Sequence, residues 1–462
     1  MTSDLSRRAF LKRASALSLA GAATPFVMNL AAMGEAAAAT ATDYKALVCV
    51  FLYGGNDYAN TLVPNDNTQY GIYQAQRPGL AYAQSALTPT ALTPSVPLPN
   101  GAQYALAPEL AKLLPLFNAG NLAVLLNAGT LVQPTTKAQY QAHVSLPPKL
   151  LSHNDQQSYW QASSPEGAAS GWGGRIGDLL QSGNGTATLT CINVTGNAAF
   201  LTGQAAVQYS VTPAGPIALN ARTSLQGSAA AASLLQSLIS GGGTHEFEAA
   251  LGGIGSRALD LYSQVSAALG QAPVTTTVFP TAADPQSSLG AQLQLVAKLI
   301  SVSSQLGAKR QVFFVSTGRY DTHAGLVTLH PTLLTNLADA LRAFYDTTVE
   351  LNVASQVTTF TGSDFGRALT ANNDGTDHGW GSMHFVLGGA VRGGRYYGIN
   401  PTLANGGPDD IGQGRLIPTL SVDQYAATLA SWFGVSNSDL ATVVPNIGNY
   451  AGSALGTNVG FV

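Results

Sequence analysis

Six apolar runs recur along the chain, at residues 46–53, 121–127, 186–194, 311–317, 356–362 and 383–389. Their β-branched and aliphatic content predicts strands. Between them lie segments with apolar positions at helical spacing, at 107–117, 154–161, 173–180, 331–351 and 422–433. Strand alternating with helix predicts an α/β fold with a mostly parallel central sheet. Near-continuous apolar strands, such as Val-Phe-Phe-Val at 312–315, predict a sheet covered on both faces. Residues 200–310 differ. Ala/Leu/Ser-rich helical patterns at 223–239, 246–269 and 288–306 are interrupted by Gly241-Gly242-Gly243 and by a Pro-containing loop at 273–285. They read as a helical insertion beside the active face.

Composition narrows the function classes. Of 462 residues only 10% are charged, and the net charge is −3. No basic field exists to track a nucleic-acid backbone, so a nucleic-acid partner is excluded. An apolar content of 45% argues against disorder. Beyond the N-terminus, no apolar run reaches the roughly 18–20 residues of a membrane span. The N-terminus itself reads as an address. Ser6-Arg7-Arg8-Ala9-Phe10-Leu11-Lys12 resembles a twin-arginine export signal, followed by a weakly apolar run at 14–32 and small residues at Ala39-Thr40-Ala41. Residues 1–41 are therefore expected to be a leader and 42–462 the mature domain. The twin-arginine translocase is then a transient partner, and the destination is the periplasm or the exterior. Cys49 and Cys191 each sit in a strand-like run. A disulfide and two buried thiols on neighbouring strands are both open.

In open α/β sheets, ligands bind beyond the carboxyl ends of the strands. The polar residues there are Asp57 after the first strand, Asp321 and His323 after the fourth, and Asp364 after the fifth. Asp377 and His378 precede the sixth. Crowded carboxylates repel one another, and a divalent cation held by Asp oxygens and neutral imidazoles removes that repulsion. Each motif alone is also ordinary turn chemistry. Ser152 begins a helical segment, as an N-cap or as a hydroxyl nucleophile beside the metal and the helix N-terminus. Arg175 and Arg367 are candidate clamps for an oxyanion. His384 is a weak candidate ligand, while His143, His245 and His330 have no partner at metal spacing.

Gly54-Gly55-Asn56-Asp57, Ser152-His153, Trp172-Gly173-Gly174-Arg175, Tyr320-Asp321-Thr322-His323, Ser363-Asp364-Phe365-Gly366-Arg367 and Asp377-His378-Gly379-Trp380-Gly381 together resemble the family called domain of unknown function 1501. That family is similar to a remote branch of the alkaline phosphatase and sulfatase superfamily. The resemblance implies a three-layer α/β/α sandwich with metal at the strand ends. It implies metal roles for Asp57, Asp321, His323, Asp364 and His378, with Ser152 near the nucleophile position. Phe365 stands where the superfamily places a histidine, which favours one divalent ion (Zn, Ca or Mn), or none, over two. Neither cysteine fits the sulfatase Cys-x-Pro-x-Arg context. The implied function is an exported metal-dependent hydrolase of phosphate or sulfate esters, on a small-molecule or glycan substrate. The alternative is a non-catalytic shell that binds a cell-envelope partner or polysaccharide.

Overall fold

The computed structural model describes residues 43–196, 198–219, 223–242, 245–281 and 288–462. The expected leader lies outside the described residues. Six strands carry the sheet: β1 (Lys45–Leu52), β2 (Leu122–Gly129), β3 (Cys191–Asn193), β4 (Arg310–Thr317), β5 (Val357–Ser363) and, after a hairpin of β6 (Arg367–Ala371) and β7 (Thr376–His378), β8 (Ser382–Leu387). From one edge the order is Tyr396–Tyr397, β2, β8, β5, β1, β4, β3, Tyr209–Thr212 and Gly215–Pro216. β1 is central and runs parallel to both neighbours, with Cys49 level with Phe314 and Phe360. β8 alone of these six runs against its neighbours, β2 and β5.

Because strand side chains alternate in direction, β1 feeds two cores. Ala46, Val48, Val50 and Leu52 enter one, while Leu47, Cys49 and Phe51 enter the other. Eight helices matter below: α1 (Asn67–Gln76), α2 (His153–Ala162), α3 (Trp172–Leu180), α4 (Ala229–Ser240), α5 (Glu246–Leu269), α6 (Leu289–Ser301), α7 (Leu326–Glu350) and α8 (Val422–Phe433). α6 and α7 cover the first face with Leu293, Val296, Leu337 and Leu341. α3 and α8 cover the second with Ile176, Leu179, Tyr425 and Leu429. The architecture is a three-layer α/β/α sandwich. Each buried Val, Leu or Phe contributes about 1.5–3 kcal/mol, so the sheet is a stiff platform for its loops.

Local chemistry sets the boundaries. α8 spans the predicted residues because Ser421 and Gln424 form a reciprocal capping box and Gly434 (φ 120°) ends it. The helix predicted at 331–351 starts earlier, at Leu326, after Gly325 in a left-handed conformation whose N–H donates to Asp374; Pro331 lies inside it. The strand predicted at 186–194 shrinks to Cys191–Asn193, because Ala187–Leu189 turn as a 3₁₀ helix. The 107–117 segment is mainly 3₁₀, Pro108–Leu113, before a short α-turn. The 200–310 segment is not purely helical, since Tyr209–Thr212 extends the sheet beside β3. Both cysteines are free and buried. They are not on neighbouring strands either, because β4 separates β1 from β3. No helix among the described residues is long and apolar enough to cross a membrane.

Candidate metal centre

The carboxyl ends of β1, β4 and β5 lie side by side, and the loops leaving them meet. Gly54 (φ 114°) turns the chain after β1; a Cβ there would stand 2.4 Å from the Asp321 nitrogen. Only glycine lets the loop after β4 come this close. That loop carries Asp321 and His323. The β6–β7 hairpin then folds back so that His378 stands opposite Arg367 in register. α2 begins at His153, with Leu151 (φ 71°) and Ser152 bending the chain into it.

Three imidazoles face one carboxylate. His153 Nε2 lies 3.4 Å from Asp321 Oδ2. His378 Nε2 is 3.2 Å and His323 Nε2 3.1 Å from Asp321 Oδ1. The His323 and His378 Nε2 atoms are 2.9 Å apart. His153, Asp321 and His378 place one ligand atom each within 4.8 Å of one another. The far sides of the rings decide the chemistry. His378 Nδ1 is 2.8 Å from the Leu151 carbonyl, and His153 Nδ1 is 2.7 Å from Asp364 Oδ2. Both partners are acceptors, so each Nδ1 carries the hydrogen and each Nε2 of a neutral ring presents a lone pair. His323 Nδ1 lies 3.4 Å from Asp377. Lone pairs therefore converge on carboxylate oxygens, which are also acceptors. A cation between them, or a proton on one Nε2, would relieve this crowding of acceptors, and Arg367 already brings positive charge to Asp321 Oδ1 at 2.7 Å. Outer acceptors that fix the tautomer of an imidazole are the pattern around metal-ligating histidines.

The electrostatics differ from ring to ring, drawing His153 toward its protonated form and His378 toward its neutral one. The hydrogen bond to Asp364 raises the His153 pKa, against burial and with the charges of Asp364 and Asp321. Burial pulls His378 down, more than the Leu151 carbonyl and Asp321 pull it up. Burial pushes Asp321 up, but the Arg367 guanidinium and nearby histidines bring it below the ordinary carboxylate range.

Phe365 is the packing element of the site. Its ring lies 4.9 Å from His153 and 4.6 Å from His378, centre to centre. It rests on Gly55 (φ 82°), where a Cβ would meet the ring at 2.4 Å. An apolar ring where a ligand was expected thus backs two imidazoles.

The expected site residues separate into groups. Asp321, His323 and His378 come together. Asp364 is buried and adjoins them through His153; its Oδ2 also accepts from Gln157 Nε2 and its Oδ1 from the Gly54 N–H. The expected metal role of Asp57 is corrected. Its carboxylate is fully buried, ion-paired with Arg77 at 2.8 Å, and accepts from the Asn60 N–H and the Thr376 hydroxyl. Arg175 is corrected as well, since its guanidinium donates to the Val443, Ser170 and Ala162 carbonyls. Arg367 is buried and donates to the Gly54 and Thr376 carbonyls and, at 2.7 Å, to Asp321 Oδ1. It is a positioning residue for Asp321, not an oxyanion clamp. Ser152 is at the N-cap of α2 but caps no backbone N–H; its hydroxyl donates to Asp155 at 2.9 Å. His384 is buried against Trp160 and Tyr425, away from this cluster, and His330 is buried against Asn56. His153 is the residue that the strand-edge argument missed.

Comparison with known proteins places the chain. The sequence profile described as protein of unknown function (DUF1501) matches residues 44–443. The chain belongs to the DUF1501 family. No curated protein matches it significantly. Among solved structures, Ps i-CgsB in complex with k-i-k-neocarrahexaose aligns over 87% of this chain and 74% of its own, at 10% identity and a TM-score of 0.36. The PsFucS1 sulfatase from Pseudoalteromonas sp. aligns over 90% and 72%, at 10% identity and a TM-score of 0.34. The lipoteichoic acid synthase LtaP from Listeria monocytogenes aligns over 90% and 80%, at 8% identity and a TM-score of 0.31.

Proposed function

We propose that this DUF1501 protein is an exported metal-dependent hydrolase of phosphate or sulfate esters. The observation that carries the reading is the convergence of imidazole lone pairs on the Asp321 carboxylate. His153, Asp321 and His378, with His323 beside them, would hold one divalent cation. A nitrogen-rich set with a single carboxylate suits a Zn- or Mn-type ion better than Ca, which takes six to eight oxygens. When bound, such an ion supplies positive charge to an ester oxygen and acidity to a nearby hydroxyl.

The protein's own residues do the rest. Asp364 and the Leu151 carbonyl orient two rings; Arg367 fixes Asp321. Ser152 precedes His153 directly, at the positive end of α2. Asp155 orients that hydroxyl by accepting its hydrogen. The ligand set opens to solvent, with the Asp321 and His323 side chains 41% and 46% exposed, so a bulky ester can reach it.

Elemental analysis and turnover of an aryl phosphate and an aryl sulfate test this reading together. Ser152→Ala should keep the metal of the wild type and reduce turnover by at least about 10³-fold, as loss of a nucleophile does. If Ser152 only bonds Asp155, the change should cost about 1 kcal/mol of stability and leave turnover intact. One observation favours the non-catalytic shell: both arginines expected to meet the ester are engaged within the protein. Wild-type protein that binds metal but turns over neither ester would establish that second reading. Export is tested separately. Replacing Arg7 and Arg8 by Lys should leave the precursor in the cytoplasm, and unchanged delivery would refute the twin-arginine assignment.

A further inference from the structure

α5 carries an apolar stripe at alternating spacings of four and three: Phe247, Leu251, Ile254, Ala258, Leu261, Val265 and Ala268. This is the heptad-like seam by which one helix packs on another. Its second half is used, because Leu261, Val265 and Ala268 are buried in the main core. Its first half is bare. Phe247 is 81% exposed, Leu251 68% and Ile254 57%. The antiparallel neighbour α4 does not cover it. α4 instead packs where Gly252 and Gly255 lack side chains; a Cβ at Gly255 would stand 2.5 Å from the Ile239 side chain. α4 adds two more bare residues, Leu234 and Leu238, one helical turn apart.

We infer that this α4–α5 hairpin is a self-association surface, with the seam of one copy packed antiparallel on the seam of a second. A narrow stripe of this period fits a helix. A helix lying on a membrane carries a broad apolar face edged with Lys and Arg, whereas α4 and α5 contain one basic residue, Arg257, and three acidic ones, Glu246, Glu248 and Asp260. The charges fit an antiparallel mate. Glu246 and Glu248 flank one end of the bare half and Arg257 lies at the other, so a twofold pairing places each arginine at the acidic end of the other copy. The size also fits. Complete burial of five such side chains would cover on the order of 600 Å² per copy, or about 1,200 Å² for the pair, the lower bound of specific interfaces.

Sedimentation velocity over about 1–100 μM tests the inference. The wild type should sediment as two chains at the upper concentrations. Phe247→Asp with Leu251→Asp should weaken association by at least about 100-fold with unchanged circular dichroism, since both residues are exposed in a single copy. Leu234→Asp with Leu238→Asp is the second variant should the first fail to fold. Three results would overturn the proposal: a wild type that stays monomeric at 100 μM, a dimer that survives both pairs of substitutions, and a monomer that floats with neutral phosphatidylcholine vesicles. The last would make the stripe a lipid contact.

Discussion

His153→Ala should raise the dissociation constant for Zn or Mn by more than about 100-fold, while Asp364→Asn should raise it by about 10–100-fold. The two values differ because the residues would act at different distances from a bound ion. His153 offers its Nε2 lone pair 3.4 Å from Asp321 Oδ2, so its loss removes one member of the ligand set itself. Asp364 works through His153, by holding the hydrogen on Nδ1, and outer partners of this kind typically contribute 10–100-fold. An asparagine can still accept that hydrogen bond, so the ring keeps its tautomer but loses the basicity that a carboxylate lends it. His384→Ala is the control: it removes a buried histidine that packs against Trp160 and Tyr425 and should leave the affinity unchanged. Competition with a chromogenic chelator measures all three. Equal affinities for wild type and His153→Ala would remove the metal centre.

The sheet was legible because its strands bury both faces. β1 and α8 follow their apolar patterns closely, and the strand-edge rule singled out Asp321, His323 and His378, which the fold brings together. The errors have a common physical origin. The sequence shows which polar residues stand at strand ends but not which of them already have partners. Asp57 is at the right edge, yet Arg77 at the end of α1 reaches back to it, and nothing in a Gly-Gly-Asn-Asp turn announces a distant arginine. Arg175 was a candidate oxyanion clamp, but the Val443, Ser170 and Ala162 carbonyls occupy it. His153 was overlooked for the opposite reason. In Ser152-His153 the serine drew the attention as cap or nucleophile, and the imidazole next to it has no sequence neighbour at metal spacing. Its only signal was position, at the start of a helix that follows β2 on the carboxyl edge. Phe365 was read as a missing ligand, and its contact with Gly55 and two imidazoles depends on a bare glycine 310 residues away in the chain.

Arg77→Met should destabilise the protein by about 3–5 kcal/mol at pH 7, the loss expected when one partner of a buried pair is removed. Arg77 and Asp57 are both fully buried, so methionine leaves a carboxylate with no counter-charge and no water. It also leaves the Ala368 and Leu369 carbonyls without the hydrogen bonds that Arg77 donates. The effect should depend on pH in a definite direction. In the native protein, burial pushes the Asp57 pKa up, but the charge and hydrogen bonds of Arg77, with the Asn60 N–H, bring it below its unfolded value. A depressed carboxyl contributes stability above the unfolded pKa and loses it as pH falls through the folded one. Without Arg77, burial dominates and the folded pKa rises above the unfolded value, so the sign reverses. The variant should then become less unstable relative to wild type as pH falls toward about 4, where Asp57 is protonated in the variant. Urea denaturation at pH 7 and at the lowest pH where wild type remains folded measures the gap. A gap that is equal at both pH values would show that the lost carbonyl bonds, not the uncompensated carboxylate, set the cost. The same pair has a second consequence for the site. Thr376 donates to Asp57 and accepts from Arg367, which in turn holds Asp321. Asp57 therefore supports the candidate metal centre from beneath, as the buried anchor of the chain of bonds that holds Asp321. In Arg77→Met, any loss of metal affinity should follow this chain and be smaller than that of His153→Ala.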